Sequence, residues 1–418
     1  MSALKLDRVS KVYGGSVLAV EDLDLDVYDG EVLVLLGPSG CGKTTILRLI
    51  AGLEEATSGD LWLGGERAND LQPRERNIAM VFQQGALYPH MTVWENIAFP
   101  LQVAGETDLS LVNEKVREMA YGLGIGEKLA RKPSQLSGGE RQRVAMGRAL
   151  IRGEPTVLLM DEPLASLDIG LRNGLRAEIA SLVRSLHLTT VYVTHDQAEA
   201  LALADRIAVL RDGKVEDVGT PARVYGDPAT AFVASFMGAP PANLAWATIW
   251  VVNGDRVVID FGQQHLELPW SEPRSELLTP YHGQAVIVSI RPEALAPARA
   301  SARDDPAASL LHGKVSALEY YGHDWLARLD AGLRPVDIDA VRARHPDPQV
   351  SHSHHRGASL LVRVGSLQGW ISGQEVDVAV DVPGIHVFDS RGRRIDRMPV
   401  GRAAMRRPGT EVRRDDLG

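Results

Sequence analysis

Cysteine is nearly absent. Cys41 is the single one in 418 residues. No disulfide can form within one chain, which suits a reducing compartment. Long apolar runs are missing too. No stretch reaches the ~18 residues of a membrane-spanning helix, so any membrane role is expected to be borrowed from a partner. The opening residues Met1-Ser2-Ala3-Leu4-Lys5-Leu6-Asp7 do not have the pattern of a signal peptide. Positive charge is not in excess. The net charge of −9 argues against nucleic acid as the main partner. What is present is a globular composition, in a chain too long for one ordinary core. Two or three domains are therefore expected.

The most informative stretch is Gly37-Pro38-Ser39-Gly40-Cys41-Gly42-Lys43-Thr44-Thr45. The apolar run Val32-Leu33-Val34-Leu35-Leu36 precedes it, and Ile46-Leu47-Arg48-Leu49-Ile50 follows. Buried strand, glycine-rich turn and helix opening are the context in which a P-loop works. The glycines let backbone N–H groups converge on a phosphate chain without Cβ obstruction. The helix N-terminus adds partial positive charge there. Lys43 is expected to reach the β- and γ-phosphates, and the Thr44 hydroxyl to bind Mg²⁺.

Around this loop the pattern alternates between strand and helix. Leu4 to Val12 and Leu18 to Val27 alternate apolar and polar residues, as strands of a partly exposed antiparallel sheet do. Tyr13 follows the first. It can be a platform for a nucleotide base or an ordinary edge-strand tyrosine. Gly59 to Leu63 reads as a strand, and Asn77 to Gln84 as an apolar run ending in amides. At a strand end, Gln83 can bind Mg²⁺ and position a water. Residues 87 to 97 are rich in aromatics that either pack locally or form a docking surface. A helix is expected over 109 to 130, interrupted by Gly122, Gly124 and Gly126.

Ser137 is a plausible N-cap for a helix running to Arg152. With Gly138 and Gly139 it is either only that cap or a second phosphate-binding helix end. Thr156 to Met160 is a buried-type strand ending in Asp161-Glu162. Downstream of a P-loop, Asp161 is expected to hold the metal through water, and Glu162 to polarise the attacking water. Thr190 to Thr194 is another buried-type strand, ending at His195, which can contact a γ-phosphate or be a structural histidine. Arg206 to Leu210 and Lys214 to Val218 flank Asp212-Gly213 as a hairpin. This alternation predicts a mainly parallel, helix-flanked sheet with ligands at the strand C-termini.

Composition changes near residue 238, at Gly238-Ala239-Pro240-Pro241. Short strands are expected beyond it: Trp246 to Val252, Arg256 to Phe261, Ala285 to Ile290, Lys314 to Leu318, Trp325 to Leu329, Ser359 to Val364, Glu375 to Val380 and His386 to Phe388. That spacing suggests a small β-barrel. His345, His352, His354 and His355 fall in a polar segment, read as a loop in preference to a metal site. The arginine-rich tail from Arg391 has no periodicity and is expected to be mobile at least past Pro408.

In this order, the motifs resemble those of the ATP-binding subunit of an ABC transporter. The likeness is closest to importers that energise uptake of sugars and related solutes, of the maltose, trehalose and glycerol-phosphate type. It implies an α/β fold: a P-loop NTPase ABC cassette with a mixed sheet, helices and a helical subdomain, then a small all-β OB-like barrel. Ser289-Ile290-Arg291-Pro292-Glu293 and Ala317-Leu318-Glu319-Tyr320-Tyr321-Gly322 carry the likeness to that second, regulatory (TOBE) domain. The implied domains are 1–236, with the helical subdomain at about 85–155, then 237–390, then the tail 391–418.

The resemblance also implies roles. Tyr13 stacks on adenine, and Gly37, Pro38, Ser39, Gly40, Cys41, Gly42, Lys43, Thr44 and Thr45 hold the phosphates. Gln83 is the Q-loop glutamine. Leu136 to Gln142 is the signature, with Ser137, Gly138 and Gly139 on ATP. Asp168 belongs to the D-loop and His195 is the switch histidine. Glu162, His195, Lys43 and Gln83 are then catalytic, and Thr44, Gln83 and Asp161 bind Mg²⁺. The implied cofactors are ATP and Mg²⁺. The implied partners are a second copy of the chain, two membrane-spanning permease subunits docking near Gln83 to Glu95, and an external solute-binding protein. The implied location is the cytoplasmic face of the cell membrane.

Glu140 departs from the family's usual glutamine, and an acid near a γ-phosphate is harmless only if turned away. Gly170 and Gly174 fall in the helix expected after the D-loop. Importers of polyamines, iron or glycerol phosphates share the same plan. A soluble ABC ATPase of translation or DNA repair fits less well, because one cassette is present and no long coiled-coil insertion interrupts it.

Overall fold

The structure is a computed structural model. It describes residues 2–82, 87–153, 155–165, 169–298, 309–322, 324–342, 358–365 and 370–397. Its contacts divide the chain into two compact units, Met1–Pro228 and Ala229–Gly418.

The first unit holds two sheets. One is antiparallel, in the order β2-β1-β4-β5. Its strands are β1 (Ser2–Tyr13), β2 (Val17–Tyr28), β4 (Ser58–Leu63) and the short β5 (Glu66–Arg67), with β3 (Val32–Leu36) lying between β2 and β4 in sequence. β2 buries every second residue near its end, Leu23, Leu25 and Val27, as a strand with one solvated face does. The second sheet has six strands, ordered β10-β9-β3-β8-β7-β6. The further strands are β6 (Ile78–Val81), β7 (Val157–Asp161), β8 (Thr190–Thr194), β9 (Arg206–Arg211) and β10 (Lys214–Gly219). All but β10 run parallel. β3 is buried at all five positions, because helices or the first sheet cover both of its faces.

Register explains the site. Leu36, the last residue of β3, pairs with Thr194, the last of β8, and Asp161, the last of β7, pairs with Val193. The segments that leave these three strands therefore emerge along one edge. They are the loop before helix α1 (Lys43–Ala51), Glu162, and His195.

A helical section follows β6: α2 (Val93–Val103), α3 (Leu109–Gly122) and α4 (Gly138–Leu150). Val93, Ile97 and Leu101 recur every fourth residue and share a core with Val112, Val116, Leu123, Val144 and Ile151. The helix expected over 109 to 130 stops at Gly122. Gly124 then takes φ 66°, and only a short helical turn, Gly126–Lys128, follows. After β7 come α5 (Ile169–Ser185) and α6 (Gln197–Leu203), and Gly170 and Gly174 lie inside α5.

The second unit is all-antiparallel. Among the described residues, ten strands form one branched sheet. They are β11 (Asn243–Val252), β12 (Arg256–Asp260), β13 (His265–Pro269), β14 (Ala285–Ile290), β15 (Leu295–Pro297), β16 (Leu310–Tyr320), β17 (Trp325–Pro335), β18 (Ala358–Val364), β19 (Glu375–Val380) and β20 (Ile385–Phe388). Side chains from all ten contribute to one apolar core, including Ile249, Val257, Leu266, Val288, Leu295, Leu311, Leu329, Val362, Val378 and Val387, beside a smaller cluster at Ile287 and Phe388. This is the all-β, OB-like architecture implied by the sequence, with β13 and β15 in addition. The helix Ala231–Phe236 precedes the composition change at 238 and packs on Ile287 and Phe388 of this unit.

Residues 391–397, the start of the expected tail, are among the described residues and bond to the rest of the second unit. Ile395 donates its N–H to Val387 O at 3.0 Å, and Asp396 is 1% exposed and accepts from Val387 N–H at 3.1 Å. Residues from 398 onward, and His345, His352, His354 and His355, lie outside the described residues.

Candidate functional site

The loop after β3 requires glycine at two points. A Cβ on Gly37 would lie 2.4 Å from Leu210 O and 2.7 Å from Cys41 Sγ. Gly42 takes φ 105° as the N-cap of α1, and a Cβ there would lie 2.6 Å from Ala19 O. No side chain caps α1, so its first N–H groups are left for an incoming anion. Ser39, Gly40 and Thr44 are exposed, whereas Cys41 and Lys43 are buried. Burial pushes the Cys41 thiol up. Nζ of Lys43 donates to Gly37 O and Pro38 O, both at 2.8 Å. The ammonium thus sits inside the ring of the loop, where phosphate oxygens would compete for it.

The carboxylates stand beside the loop. Thr44 Oγ1 donates to Asp161 Oδ1 at 3.4 Å, which brings together at the foot of the loop two hard oxygens of the kind that could hold a divalent cation. Burial, and then the charge of Glu162, raise the Asp161 carboxyl. Glu162 adopts φ 43°, in the left-handed region, and its N–H donates to Val193 O at 3.0 Å. Its Oε2 lies 3.1 Å from His195 Nδ1. An acid and an imidazole therefore face each other across the ends of β7 and β8.

The second helix end is built differently. Ser137 Oγ accepts from Glu140 N–H at 3.2 Å, and Glu140 Oε2 accepts from Ser137 N–H at 2.8 Å. This capping box closes the N-terminus of α4 around Gly138 and Gly139. Glu140 also faces Lys128 at 3.4 Å. The Ser137 N–H first, with Lys128, holds its carboxyl below the usual range. The acid that looked out of place in the signature is turned back onto its own helix. Among the described residues no hydrogen bond joins Ser137, Gly138 or Gly139 to residues 37–45.

The ABC transporter family matches residues 20–165. The trehalose/maltose import ATP-binding protein of Thermococcus litoralis is 43% identical over 397 residues, which is 93% of this chain and 98% of the relative. The sn-glycerol-3-phosphate import ATP-binding protein of Chromohalobacter salexigens is 44% identical, over 94% of this chain and 96% of its own. The chain belongs to the ATP-binding proteins of ABC importers. The sulfoquinovosyl glycerol transport ATP-binding protein of Agrobacterium fabrum is a further relative, 43% identical over 94% of this chain and 99% of its own.

As an ABC ATPase, the chain binds and hydrolyses ATP, and the remaining motifs can be placed. Tyr13 ends β1, half-buried, with Lys11 Nζ 4.9 Å from its ring centroid. Thr45 is half-buried on the first turn of α1. Gln83 and Asp168 lie outside the described residues. In the aromatic segment before α2, Tyr88 packs on Phe99 with ring centroids 4.8 Å apart, while Pro89, His90 and Glu95 are exposed.

Glu199 was not singled out from sequence. Asp196-x-x-Glu199 reads as an N-cap with an acid three residues on, a pattern that suggests a capping box. Asp196 does cap α6, but the Glu199 carboxylate turns inward to Tyr192 and Thr194.

Proposed function

We propose that the chain powers uptake of a polyhydroxylated solute, a sugar or a related compound, as one of two identical ATPase subunits that bury ATP between them. The solute class is supported by the relatives, whose names specify trehalose or maltose, glycerol 3-phosphate and sulfoquinovosyl glycerol. The observation that carries the mechanism is the alignment of Lys43, Thr44–Asp161 and Glu162–His195 along one edge of the parallel sheet.

In this reading the first unit is the nucleotide-binding domain and the second a regulatory or dimerising one. Tyr13 receives the base. The N–H groups from Ser39 to Thr45 and Lys43 Nζ receive the phosphates. Thr44, Asp161 and Gln83 hold Mg²⁺, which supplies positive charge to the phosphate oxygens when bound. Glu162 accepts hydrogen bonding from the attacking water and orients it, with His195 at its side near the γ-phosphate. The exposed side of the loop leaves that phosphate open. The capped α4 terminus of a second copy, with Ser137, Gly138 and Gly139, covers it, and the family resemblance assigns Asp168 a part in the same junction. A pair related by a two-fold axis satisfies both sites at once.

Among the described residues no helix is long and apolar enough to cross a membrane. In this reading the transport path belongs to two permease subunits that dock near Gln83 to Glu95 and hold the ATPase at the cytoplasmic face. An external binding protein delivers the solute to them. Co-purification of the full chain, followed by transport of labelled sugars into proteoliposomes, tests this. ATP-dependent uptake of a sugar is expected. A complex that moves only polyamines or metal ions overturns the solute class.

A further inference from the structure

Glu199 is 3% exposed on α6. A buried carboxylate persists only with partners. Its Oε2 accepts from Tyr192 Oη at 3.0 Å and from Thr194 Oγ1 at 2.8 Å. The Thr194 hydroxyl accepts in turn from Asp196 N–H at 3.0 Å. A chain of hydrogen bonds thus runs from Glu199 through Thr194 to the backbone of Asp196, and His195 is the residue spanned by it.

The His195 side chain is 56% exposed. Packing does little to fix such a ring, so its aim is set mainly by the backbone that carries it. Asp196 ties the far end of the turn to α6 through its own carboxylate, and the Thr194 hydroxyl adds a second tie at the Asp196 N–H. Oδ1 caps Ala198 and Glu199, and Oδ2 lies 3.6 Å from Arg172.

We propose that Glu199 is a positioning residue for hydrolysis: through Thr194 it fixes the 194–196 turn that points His195 at Glu162. This rests on the reading of His195 given above. A buried acid that merely stabilised the fold would also bond to Tyr192 and Thr194. The two arms separate the cases, because the Tyr192 arm lies inside β8 and does not touch the turn.

The test uses the purified full-length chain, with steady-state ATPase, ATP affinity and thermal unfolding measured together. Thr194→Val removes the arm that reaches the turn. It is expected to lower kcat about tenfold or more, the scale on which misplacing a catalytic group acts. The KM for ATP should stay within about twofold. Thr194→Ser keeps the hydroxyl and should restore kcat. Tyr192→Phe removes the other arm and should lower the unfolding temperature with kcat nearly unchanged. With His195→Ala already present, Thr194→Val should cause no further fall, because both act through one group. If Thr194→Val does not fold, Glu199→Gln carries the same comparison, since loss of the charge weakens the bond from Thr194. A wild-type kcat in Thr194→Val, an equal loss in Tyr192→Phe, or multiplying losses in the double variant overturns the proposal. Normal turnover in His195→Ala overturns the reading of His195 itself, so the two failures are distinguishable.

Discussion

Oε2 of Glu162 and Nδ1 of His195 stand 3.1 Å apart, each at the exit of a different parallel strand. Glu162 holds this position with φ 43°. A non-glycine residue there costs on the order of 1–3 kcal/mol. Its N–H bond to Val193 O and the neighbouring strand ends oppose relaxation. Strain at a carboxylate facing an imidazole is what a water-orienting group would show. Glu162→Gln keeps the shape and removes the charge. ATPase turnover should fall at least ~100-fold, with ATP binding retained. Wild-type turnover in that variant would remove Glu162 from the role.

The capped end of α4 gives a second expectation. Ser137 and Glu140 satisfy one another, which closes the helix N-terminus at Gly138 and the buried Gly139, while Ser137 itself is exposed. Ser137→Arg places a long side chain where a second copy would have to approach. ATP should still bind through Lys43, but dimer closure and hydrolysis should be lost. Light scattering with ATP in a hydrolysis-impaired background measures the closure. Normal hydrolysis by Ser137→Arg rules out the shared site.

Much of this was legible in sequence because burial on both faces of a strand is written as an unbroken apolar run. Val32 to Leu36, Val157 to Met160 and Thr190 to Val193 announce three adjacent strands, and their polar successors announce the edge where ligands bind. Other features carry weaker signals. β15 is three residues long, too short to show a period, and β13 alternates over only five and ends in proline. Residues 391–397 show no periodicity because scattered backbone and side-chain hydrogen bonds, together with the packing of the one residue Ile395 on the core, tie them down. Glu199 was hidden because its spacing fits a capping box, and only the tertiary approach of Tyr192 and Thr194 redirects it.

Gly37 tests the phosphate loop by sterics alone. An added methyl group would meet a backbone carbonyl, Leu210 O, at 2.4 Å and a buried sulfur, Cys41 Sγ, at 2.7 Å. Neither belongs to a flexible surface side chain. Gly37→Ala should displace the loop and the carbonyls that hold Lys43, destabilising the first unit by about 1–3 kcal/mol. ATP affinity should fall with it. Calorimetric titration of ATP against a folded Gly37→Ala variant checks this, and unchanged affinity would show that the loop can shift without losing its function.

His386 gives the second unit an acid limit. It lies on β20 opposite Ser289 of β14, 6% exposed, and among the described residues its Nδ1 has no hydrogen-bond partner. Burial, followed by the charges of Arg394, Arg291 and Arg274, pushes its pKa from 6.5 down to about 3. Below pH 6.5 the unfolded chain therefore takes up a proton that the folded chain refuses. Stability contributed by the neutral ring is present above that pH and falls as pH drops toward about 3. The slope from one such group is at most about 1.4 kcal/mol per pH unit. Urea unfolding followed by tryptophan fluorescence should show it most clearly between about pH 6.5 and pH 5, before most carboxylates titrate. His386→Asn should flatten the dependence in that window. An unchanged slope would mean that the proton is taken up elsewhere.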